Sequence, residues 1–589
     1  MKNKSIKLLT AFSLFLLCIC CGNNELVLTP DPESQSKITI HSIADLNMRA
    51  SVIDSHKNDK NNVLEMDFRR KVELKSELSC VAPFYPRVKK LTNGQYILLY
   101  MDGAWGPNIY YALSKDMLTW SNSRPLFTPY PHGNNDTRYF ACADAAVLHN
   151  GDIVVACCFR DLNGYSSHPE YSGLMMRRSS DNGQTWTDEY QIYQGSCWEP
   201  YLLQLPSGEL QVYFTDNDPT PSIRNSGSSI LRSFNSGQTW TPALGELPIR
   251  VVHQYTYTNQ DNIKIFTGQM ISTRLLHDNK TIAVVCESRN DFNGTNMCIS
   301  YCNSTDNWAK SIGQNEEGPA NHQWNVMTGV GPYLALFPSG ESVLSYSARI
   351  GGSLDGHIIL RIGGVTANDF DKEVYNKPFP NAPTIWGSME LDDPHTLIVA
   401  APNFLDGNDY TKIKKASLLL GKMTLNHRIN APTDTPTLDG DNADWKDNTD
   451  AFFLGSDSRS QATFRFAHDN QKLYLLVERI DDYLTSDDAL TLMLNNGTKT
   501  LKFKLNYDDA SKTLATDNPA IECKSFLSGK FNDGARDKGC IAELAIPVSQ
   551  LSLGQKVFFN AVLHDKDVND GFNGLTENVP AKWLPITLD

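Results

Sequence analysis

The chain has 589 residues, of which 67 are acidic and 53 are basic, so its formal net charge is −14. This acidic balance argues against nucleic acid or an anionic membrane surface as the main partner. No sustained heptad or Gly-X-Y period is present, which excludes coiled coil and collagen. Hydrophobic residues make up 41% of the chain and aromatic residues 10%. The composition therefore favours an aromatic-rich β protein with large cores and many turns.

Residues 1–21 have the pattern of an export signal. Lysines precede an apolar run over residues 8–19, which is too short to span a bilayer and ends in cysteines rather than in an Ala-x-Ala site. The pattern resembles a bacterial lipoprotein signal, which implies that Cys21, or alternatively Cys20, is lipidated; an ordinary cleaved signal is the other interpretation. We expect a tether over residues 22–60 and a protein anchored by lipid in the bacterial cell envelope, facing the periplasm or the cell surface.

A hairpin pattern recurs six times between residues 91 and 400. Each copy has an apolar residue, two turn formers and a β-rich run, and the copies begin at Leu91, Leu148, Leu205, Leu276, Phe337 and Leu391. Spacings of 54 to 71 residues leave room for about four strands per copy. Units of this size match the blades of a β-propeller. We therefore predict an all-β chain with a six-bladed propeller over residues 61–428; a pair of β-sandwiches is the alternative.

A second repeat supports this architecture. The segments SSDNGQTW from Ser179 and SFNSGQTW from Ser233 share a serine, an Asp or Asn, a glycine and a Thr-Trp pair, and SKDMLTW from Ser114 is a shorter relative. They resemble the Asp-box, or BNR repeat, of the sialidase superfamily, a turn between the outer strands of a propeller blade. The Asp or Asn side chain can bond the turn backbone, so we expect a structural turn without chemistry of its own.

The hairpin repeat predicts where functional side chains gather. Residues just before the first apolar residue and those about eleven after it lie at the same end of an antiparallel hairpin. Ionisable and aromatic residues are frequent at these positions, which predicts that they line one mouth of the propeller; charge for solubility is the alternative explanation. The candidate substrate-binding residues are Arg87, Asp102, Asp144, Arg160, Tyr201, Asp216, Arg289, Tyr333 and Arg349.

Two glutamates lie at the same end of the repeat. Glu199 stands between Trp198 and Pro200 in the third copy, and Glu287 follows the run IAVVC in the fourth. Glycoside hydrolysis needs one protonated carboxyl group for the leaving group and one ionised carboxylate to attack or to activate water. A retaining pair lies about 5–5.5 Å apart and an inverting pair about 6.5–9.5 Å apart. A salt bridge at a strand end is the structural alternative for each glutamate.

Three segments carry a resemblance to known enzymes. YPRVKKLTNG from Tyr85 resembles the arginine-bearing first strand of the sialidase clan, while WEPYLLQLPSGELQVY from Trp198 and GVGPYLALFPSGESVLSY from Gly329 resemble glycoside hydrolase family 93. That family comprises six-bladed exo-acting α-L-arabinofuranosidases that cleave arabinan with retention. The similarity covers roughly residues 80–420. It implies that Glu199 and Glu287 are the catalytic pair, with a looser motif match at Glu287.

Sialidase activity is the close alternative. Sialidases grip the substrate carboxylate with three arginines, for which Arg87, Arg289 and Arg349 are candidates. Sialidases also carry a nucleophilic tyrosine just before the sixth hairpin, where this chain has Trp386, so Tyr375 would have to substitute. Two further alternatives are a glycan-binding lipoprotein without activity and a polysaccharide lyase that uses Tyr333 and His322.

The chain beyond residue 428 predicts a second domain. APTDTPTLDG from Ala431 is typical of a linker, and the segments from Asp439 and from Phe464 resemble carbohydrate-binding modules of family 9. Alternating apolar residues favour a β-sandwich over residues 429–589. The resemblance implies a polysaccharide or glycan as partner. Three aromatic residues are candidates for stacking on sugar, although we expect them in the core: Trp445, Tyr474 and Trp583.

We expect a monomer without cofactor or catalytic metal. A structural calcium ion in the C-terminal domain is the one candidate ion, and a solvated acidic loop is the favoured interpretation of its possible ligands, Asp481, Asp482, Asp487 and Asp488. No Cys-x-x-Cys pair is present, so we predict no zinc framework. The candidate local disulfides of an exported chain are Cys298/Cys302 and Cys523/Cys540.

Overall fold

The computed structural model describes residues 63–588, apart from residues 134, 166, 218–225, 259–261, 263, 290–294, 304–321, 349–355, 372–373, 427, 446–449, 555, 569–571 and 574–578. The predicted export signal with Cys21, the predicted tether and Arg349 lie outside the described residues. Within the described ranges, the helices are the short 3₁₀ segments Pro169–Tyr171, Ala443–Trp445 and Pro580–Lys582. No helix in this part of the chain has the length and apolarity needed to cross a membrane.

Six sheets carry the six predicted hairpins, one on each. Their strands and the intervening pair are β1 (Val63–Leu74), β2 (Pro83–Lys90), β3 (Tyr96–Asp102), β4 (Ile109–Ser114), β5 (Arg124–Phe127), β6 (Tyr130–His132), β7 (Asp136–Val147), β8 (Ile153–Asp161), β9 (Ser172–Ser179), β10 (Tyr190–Gln194), β11 (Cys197–Gln204), β12 (Leu210–Asp216), β13 (Gly227–Ser233), β14 (Ile249–Val252), β15 (Gln254–Thr258), β16 (Lys264–Thr267), β17 (Gln269–Leu275), β18 (Thr281–Arg289), β19 (Thr295–Asn303), β20 (His322–Thr328), β21 (Val330–Leu336), β22 (Ser342–Ala348), β23 (His357–Gly363), β24 (Ser388–Asp393), β25 (Thr396–Phe404) and β26 (Ala416–Asn426).

The sheets follow the chain in order, as the blades of a propeller do. Their strand orders are β2-β3-β4-β5, β10-β9-β8-β7-β6, β11-β12-β13-β14, β17-β18-β19-β20, β21-β22-β23 and β1-β26-β25-β24. We number these sheets as the first to the sixth blade. The predicted six-bladed propeller is confirmed, with β15 and β16 as an additional pair between the third and fourth blades.

A tight turn joins the first two strands of a blade. In the third blade Leu205 donates its N–H to the carbonyl of Glu209 at 2.8 Å, and Gly208 within that turn has a φ of 90°. Only glycine adopts this φ without strain, which explains the glycine of the motif. The fourth copy is one residue longer, because Leu276 donates to the carbonyl of Thr281. This extra residue shifts the positions that follow it on the second strand by one.

The two long serine-led segments fold into equivalent turns after β9 and β13. Gly183 donates its N–H to Ser179 Oγ at 2.9 Å, and Thr185 donates its N–H to Asp181 Oδ1 at 2.9 Å. The segment from Ser233 makes the corresponding bonds at 2.7 and 2.9 Å. In both turns the serine side chain and the Asp or Asn side chain accept hydrogen bonds from backbone N–H groups. This fits the expectation of a structural role.

Two further sheets lie C-terminal to the blades in the chain. Their strands are β27 (Ile429–Ala431), β28 (Phe452–Asp457), β29 (Ser460–His468), β30 (Lys472–Asp481), β31 (Ala489–Asn495), β32 (Thr500–Asp508), β33 (Thr513–Thr516), β34 (Glu522–Leu527), β35 (Cys540–Pro547), β36 (Lys556–His564), β37 (Phe572–Asn573) and β38 (Leu584–Leu588). The strand orders are β28-β29-β30-β35-β34 and β27-β38-β36-β31-β32-β33, with β37 paired to β36. Phe464 of one sheet meets Phe559 of the other with ring centres 5.1 Å apart. The predicted β-sandwich is confirmed.

The described residues form two compact units. The propeller unit comprises residues 72–391 and 399–420, and the C-terminal unit comprises residues 63–71, 392–398 and 421–588. Each unit has a hydrophobic core of its own, with residues that are almost completely buried. The predicted boundary between residues 428 and 429 stays a prediction.

The two candidate disulfides are wrong. Cys298 and Cys302 lie four residues apart on the same strand, β19, and a strand rises about 3.3 Å per residue. Cys523 and Cys540 lie on the paired strands β34 and β35 but are four residues out of register. A disulfide needs a Cα separation of about 4.4–6.8 Å, which neither pair meets.

Candidate active site

One backbone feature recurs in or just before the first strand of every blade's hairpin. A residue there has a positive φ between 48° and 64°, and in chain order these residues are Tyr85, Cys142, Glu199, Met270, Gly331 and Trp386. In five blades the pairing of the first two strands also changes register at this point, as in a β-bulge. A left-handed residue other than glycine costs about 1–3 kcal/mol, and such strain collects at functional sites. The bulges lie toward the end of the hairpin at which the repeat predicts functional side chains.

Side chains on the second strand of one blade accept hydrogen bonds from the backbone N–H groups of the bulge residues in the next blade. Met270 donates its N–H to Thr215 Oγ1 at 3.0 Å, and Gly331 donates its N–H to Glu287 Oε1 at 2.5 Å. A corresponding bond joins the fifth blade to the sixth. Glu287 is 8% exposed. It therefore occupies the joint between the fourth and fifth blades, where one carboxylate oxygen binds a backbone N–H.

Glu199 is the acidic member of the bulge residues. Its side chain is half-buried, and its Oε2 accepts a hydrogen bond from Thr215 Oγ1 at 2.8 Å. Burial raises the pKa of Glu199 to about 7, against the opposing effects of the bonds from Thr215 and Met270 and of the positive charge of Arg87. A carboxyl group that is partly protonated near neutral pH is suited to general acid catalysis.

Arg87 and Tyr85 of the first blade lie near this carboxyl group. The guanidinium carbon of Arg87 is 3.6 Å from the centre of the Tyr85 ring. Its Nη1 donates to the carbonyl oxygens of Pro86 at 2.9 Å and Trp386 at 3.4 Å. Both side chains are buried, and burial raises the pKa of Tyr85 well above its usual value. The mouth therefore holds a fixed positive charge and a neutral phenol beside Glu199.

Three half-buried tryptophans lie next to these residues. The ring centre of Trp105, in the β3–β4 turn, is 6.3 Å from that of Trp198 and 6.4 Å from that of Trp386. Arg160 braces this group, since its guanidinium carbon is 4.5 Å from the centre of the Trp198 ring and its Nη2 donates to the Trp105 carbonyl at 2.8 Å. Aromatic walls with a few directed polar groups are typical of small-molecule sites. Trp105 escaped the sequence analysis because it lies in a loop outside the repeat.

Four predicted binding residues form a buried layer below the bulges. Arg87, Asp144, Tyr201 and Tyr333 each follow a bulge residue by two positions, and each is at most 5% exposed. Asp144 Oδ2 accepts the N–H of Leu202 in the next blade at 2.9 Å. The Tyr201 and Tyr333 rings, from the third and fifth blades, have centres 5.6 Å apart. These contacts bring side chains of the first, second, third and fifth blades together in one buried layer.

A further layer of charged residues was missed. Lys89 Nζ donates to Tyr333 Oη at 3.2 Å and pairs with Glu390 Oε2 at 3.3 Å. The guanidinium carbon of Arg274 lies 5.7 Å from the centre of the Tyr333 ring. Lys89 stands two positions after Arg87, and Arg274 stands four positions after the bulge residue Met270, so each lies on the same strand face as the residues of its own strand named above. The period-two alternation of a strand, applied once more, would have found them.

Two of the predicted binding residues bind other side chains of the blades, and Asp216 also accepts a hydrogen bond from Tyr193 Oη of the second blade at 3.5 Å. Asp216 is buried, pairs with Arg250 at 3.1 Å and accepts a hydrogen bond from Ser229 at 2.7 Å. Asp102 is half-buried, and burial raises its pKa against the opposing bonds from its neighbours Asn108 and Cys80. The contacts of Asp216 are those of a structural ion pair.

The residues that a sialidase or a lyase would need are only partly described. Arg289 is the last residue of β18 and His322 the first of β20, but their side chains are outside the described part. Tyr375 is 44% exposed, and its ring centre lies 5.2 Å from the guanidinium carbon of Arg361. The Tyr333 hydroxyl accepts a hydrogen bond from Lys89 Nζ.

In the C-terminal unit the three candidate aromatic residues lie in the core, as expected. Trp445, Tyr474 and Trp583 are each at most 4% exposed. Trp445 Nε1 donates to Glu543 Oε1 at 2.9 Å, and Tyr474 Oη donates to Asp469 Oδ2 at 2.8 Å. Stacking on sugar would need exposed ring faces, which these residues lack.

The same unit contains a cluster of buried carboxylates. Asp481, Asp488 and Asp565 each have a carboxylate oxygen within 4.8 Å of the others. Arg479 Nη2 lies 2.8 Å from Asp481, 2.9 Å from Asp565 and 3.9 Å from Asp488. Burial raises the pKa of Asp481 to about 7 in spite of this arginine. The other predicted ligands form outer ion pairs, Asp482 with Arg536 and Asp487 with Lys566. Calcium binding here stays a prediction.

The comparisons with known proteins concern the fold. No protein-family model and no curated protein matches the sequence. The α-L-arabinofuranosidase of glycoside hydrolase family 93 from Fusarium graminearum, in complex with arabinobiose, is 15% identical with a TM-score of 0.40, over 61% of this chain and 97% of its own. The Hadza microbial sialidase Hz136 is 14% identical with a TM-score of 0.42, over 58% of this chain and 66% of its own. A family 9 carbohydrate-binding module from Caldicellulosiruptor kristjanssonii, in complex with cellotriose, is 19% identical with a TM-score of 0.23, over 28% of this chain and 93% of its own. The similar structures include the families that the sequence motifs resemble.

Proposed function

We propose that the protein is an exo-acting glycoside hydrolase that releases terminal sugars from a polysaccharide or glycan. The observation that carries this proposal is Glu199, a half-buried carboxyl group with a pKa of about 7 on a strained bulge near Arg87. The finer proposal is an exo-α-L-arabinofuranosidase that cleaves arabinan with retention, and it depends on the sequence segments at Trp198 and Gly329.

Glu199 is suited to the role of the acid. Its raised pKa keeps a proton on the carboxyl group near neutral pH, and that proton passes to the glycosidic oxygen as the bond to the leaving group breaks. Thr215 donates to Oε2, which leaves the proton for Oε1. Thr215 is itself held by the N–H of Met270. The carboxyl group is therefore oriented by a fixed chain of hydrogen bonds.

Glu287 is suited to the role of the ionised partner. The N–H of Gly331, 2.5 Å from Oε1, favours the charged form of the carboxylate. In a retaining reaction this carboxylate attacks the anomeric carbon and forms a glycosyl ester. Glu199, now ionised, takes a proton from water, and that water attacks the same carbon and releases the sugar and the carboxylate.

The surroundings of Glu199 favour a sugar residue at a chain end. The rings of Trp105, Trp198 and Trp386 offer apolar surface for the C–H groups of a sugar, and Arg160 braces two of them. The buried layer that contains Tyr201 closes the centre of the propeller below. A glycan can then enter from one side only, which favours release of its terminal residue.

Turnover of aryl α-L-arabinofuranosides by Glu199→Gln and Glu287→Gln tests this proposal. Each variant is expected to lose at least about a thousandfold in kcat/KM, since the reaction then lacks its acid or its nucleophile. The matched control is Glu209→Gln, a buried glutamate in the turn at the other end of β11, which should leave turnover unchanged. Azide should restore turnover in the variant of the nucleophile and give a glycosyl azide.

The rival activities give different results in the same assays. A sialidase would cleave aryl sialosides far faster than arabinofuranosides, and a non-catalytic glycan-binding protein would turn over neither substrate. Either result would overturn the proposal. Release of terminal arabinose from arabinan, followed by chromatography, separates exo action from cleavage within the chain.

We also propose that the protein is a lipoprotein of the cell envelope and that the C-terminal unit helps to bind the glycan. Support comes from the cysteines that end the apolar run near the N-terminus and from the family 9 resemblance. Cys21→Ala is expected to abolish incorporation of labelled fatty acid, while Cys20→Ala keeps it. The reverse result would move the anchor to Cys20.

A further inference from the structure

Two cysteines outside the proposed catalytic pair face each other across the fourth blade. Cys286 on β18 and Cys298 on β19 are direct partners in the antiparallel register. Both side chains are completely buried, and their Sγ atoms are 3.2 Å apart. This pairing differs from every cysteine pair that the sequence spacing suggested.

The geometry allows a covalent bond without movement of the backbone. Directly opposite residues in antiparallel strands have Cα atoms about 4.5–5.5 Å apart. Disulfides span Cα separations of about 4.4–6.8 Å, and their sulfur atoms lie about 2.05 Å apart. Rotation of the two Cα–Cβ bonds can close the remaining distance between the sulfur atoms. We propose that Cys286 and Cys298 form a cross-strand disulfide when the chain folds in contact with a disulfide oxidant.

The oxidation balances with a small-molecule or protein disulfide as the oxidant. The thiolate of one cysteine attacks the oxidant and forms a mixed disulfide, which releases one thiol. The thiolate of the other cysteine then attacks its partner in that mixed disulfide and releases the second thiol. Two thiols of the chain lose two protons and two electrons, and the oxidant becomes two thiols. Because the folded blade buries both cysteines, the exchange belongs to the stage before β18 and β19 are fully covered.

The bond would strengthen a joint of the candidate active site. Cys286 directly precedes Glu287, whose Oε1 holds the Gly331 N–H in the next blade. A covalent link from β18 to β19 restricts the strand that carries this carboxylate. It also lowers the conformational entropy of the unfolded chain, which favours the folded state.

A second cysteine pair provides a comparison. Cys158 lies opposite Ala141 in the second blade and donates its thiol to the Ala141 carbonyl at 3.0 Å. Its neighbour Cys142 is the bulge residue of that blade, next in the chain to the residue opposite Cys158. Cys158 and Cys142 are therefore not direct partners in register. The structure assigns the bond to Cys286 and Cys298 for this reason.

Peptide mapping of the full chain tests the assignment. The protein is refolded with reduced and oxidised glutathione, unfolded without reductant, alkylated and digested. The expected result is a peptide with Cys286 joined to a peptide with Cys298, with a mass lower by two hydrogen atoms than the sum of the two. Full alkylation of both cysteines, or a bond from Cys142 to Cys158 in place of this one, would overturn the proposal.

Thermal unfolding provides a second measurement that does not depend on catalysis. The oxidised parent is expected to melt several degrees above the reduced parent. Cys286→Ser and Cys298→Ser should melt at the same temperature in both conditions. The control Cys540→Ser, a buried cysteine of the C-terminal unit, should keep the difference of the parent. Equal melting of the oxidised and reduced parent would contradict the bond.

Discussion

Glu199 combines strain, burial and hydrogen bonding in a single residue. Its φ of 52° is unfavourable for a side chain of this size, and its carboxyl group lies in surroundings that raise its pKa to about 7. The sequence identified this residue through the repeat and the family resemblance. It did not indicate the left-handed backbone, because a bulge depends on the packing of neighbouring blades rather than on the local residues.

The pH dependence of turnover should follow Glu199. If its protonated form is the acid, kcat/KM falls about tenfold per pH unit above pH 7. Thr215→Val removes a hydrogen bond that lowers the pKa of Glu199, so the alkaline limb should move to higher pH. Thr281→Val, in a hairpin turn where Thr281 bonds Asp278, is the control and should not move it. An unmoved limb in Thr215→Val would show that another group controls it.

The raised pKa of Glu199 should also make the stability of the folded protein depend on pH. The folded protein raises the pKa of Glu199 from 4.5 to about 7, so between these values it holds a proton that the unfolded chain has released. The stability from this site is therefore greatest below pH 4.5 and falls as the pH rises to about 7. Glu199→Gln stays neutral and should melt above the parent at pH 8 but not at pH 4.5. A pH-independent difference between their melting temperatures would contradict this assignment.

At the scale of the elements, the turn motifs predicted the hairpins and hence the six blades. Gly208 and its counterparts carry that signal because the turn needs a left-handed residue. The strand β1 and the pair β15–β16 were not predicted, although β1 alternates apolar and polar residues. Its place beside β26 pairs residues that are far apart in the sequence, which local propensity cannot indicate. The bulges belong to the same class of long-range effects.

Two glycines separate the roles of turn and bulge. Gly331 has a φ of 64°, and a Cβ atom there would lie 3.0 Å from Trp386 Cδ1. Gly331→Ala should therefore displace Trp386 and raise KM severalfold as well as lower stability. Gly208 has a φ of 90°, and an added Cβ atom there would meet open space. Gly208→Ala should therefore cost only about 1 kcal/mol of stability. Kinetics and thermal unfolding of both variants test this; an equal rise of KM in Gly208→Ala would contradict it.

At the scale of the whole molecule, two units with separate cores carry different kinds of buried charge. In the propeller unit, buried Arg87 and Lys89 lie near buried Asp144, at 4.0 and 3.9 Å. In the C-terminal unit, Arg479 stands among three buried carboxylates. The sequence run of aspartates indicated part of that cluster. It missed Asp565, which lies on a distant segment, and it missed the arginine that lies between the carboxylates.

The C-terminal unit should depend strongly on Arg479. Arg479→Met leaves the carboxylates of Asp481, Asp488 and Asp565 buried without their cation, which should cost about 3–5 kcal/mol. The control is Arg459→Met, whose pair with Asp457 is solvent-exposed and should contribute little to stability. Urea-induced unfolding and differential scanning calorimetry measure the loss of stability in both variants.

The loss in Arg479→Met should also depend on pH. Burial and the two neighbouring carboxylates raise the pKa of Asp481 to about 7 even with Arg479 present, so without the arginine the cluster takes up protons more readily. Protonation removes the uncompensated charge, and the variant should therefore approach the parent as the pH falls from 8 to 5. Turnover of a small aryl glycoside below the melting temperature should stay unchanged, because the proposed catalytic residues belong to the propeller unit. A loss of stability that is the same at both pH values would mean that the packing of the arginine, rather than its charge, supports the unit.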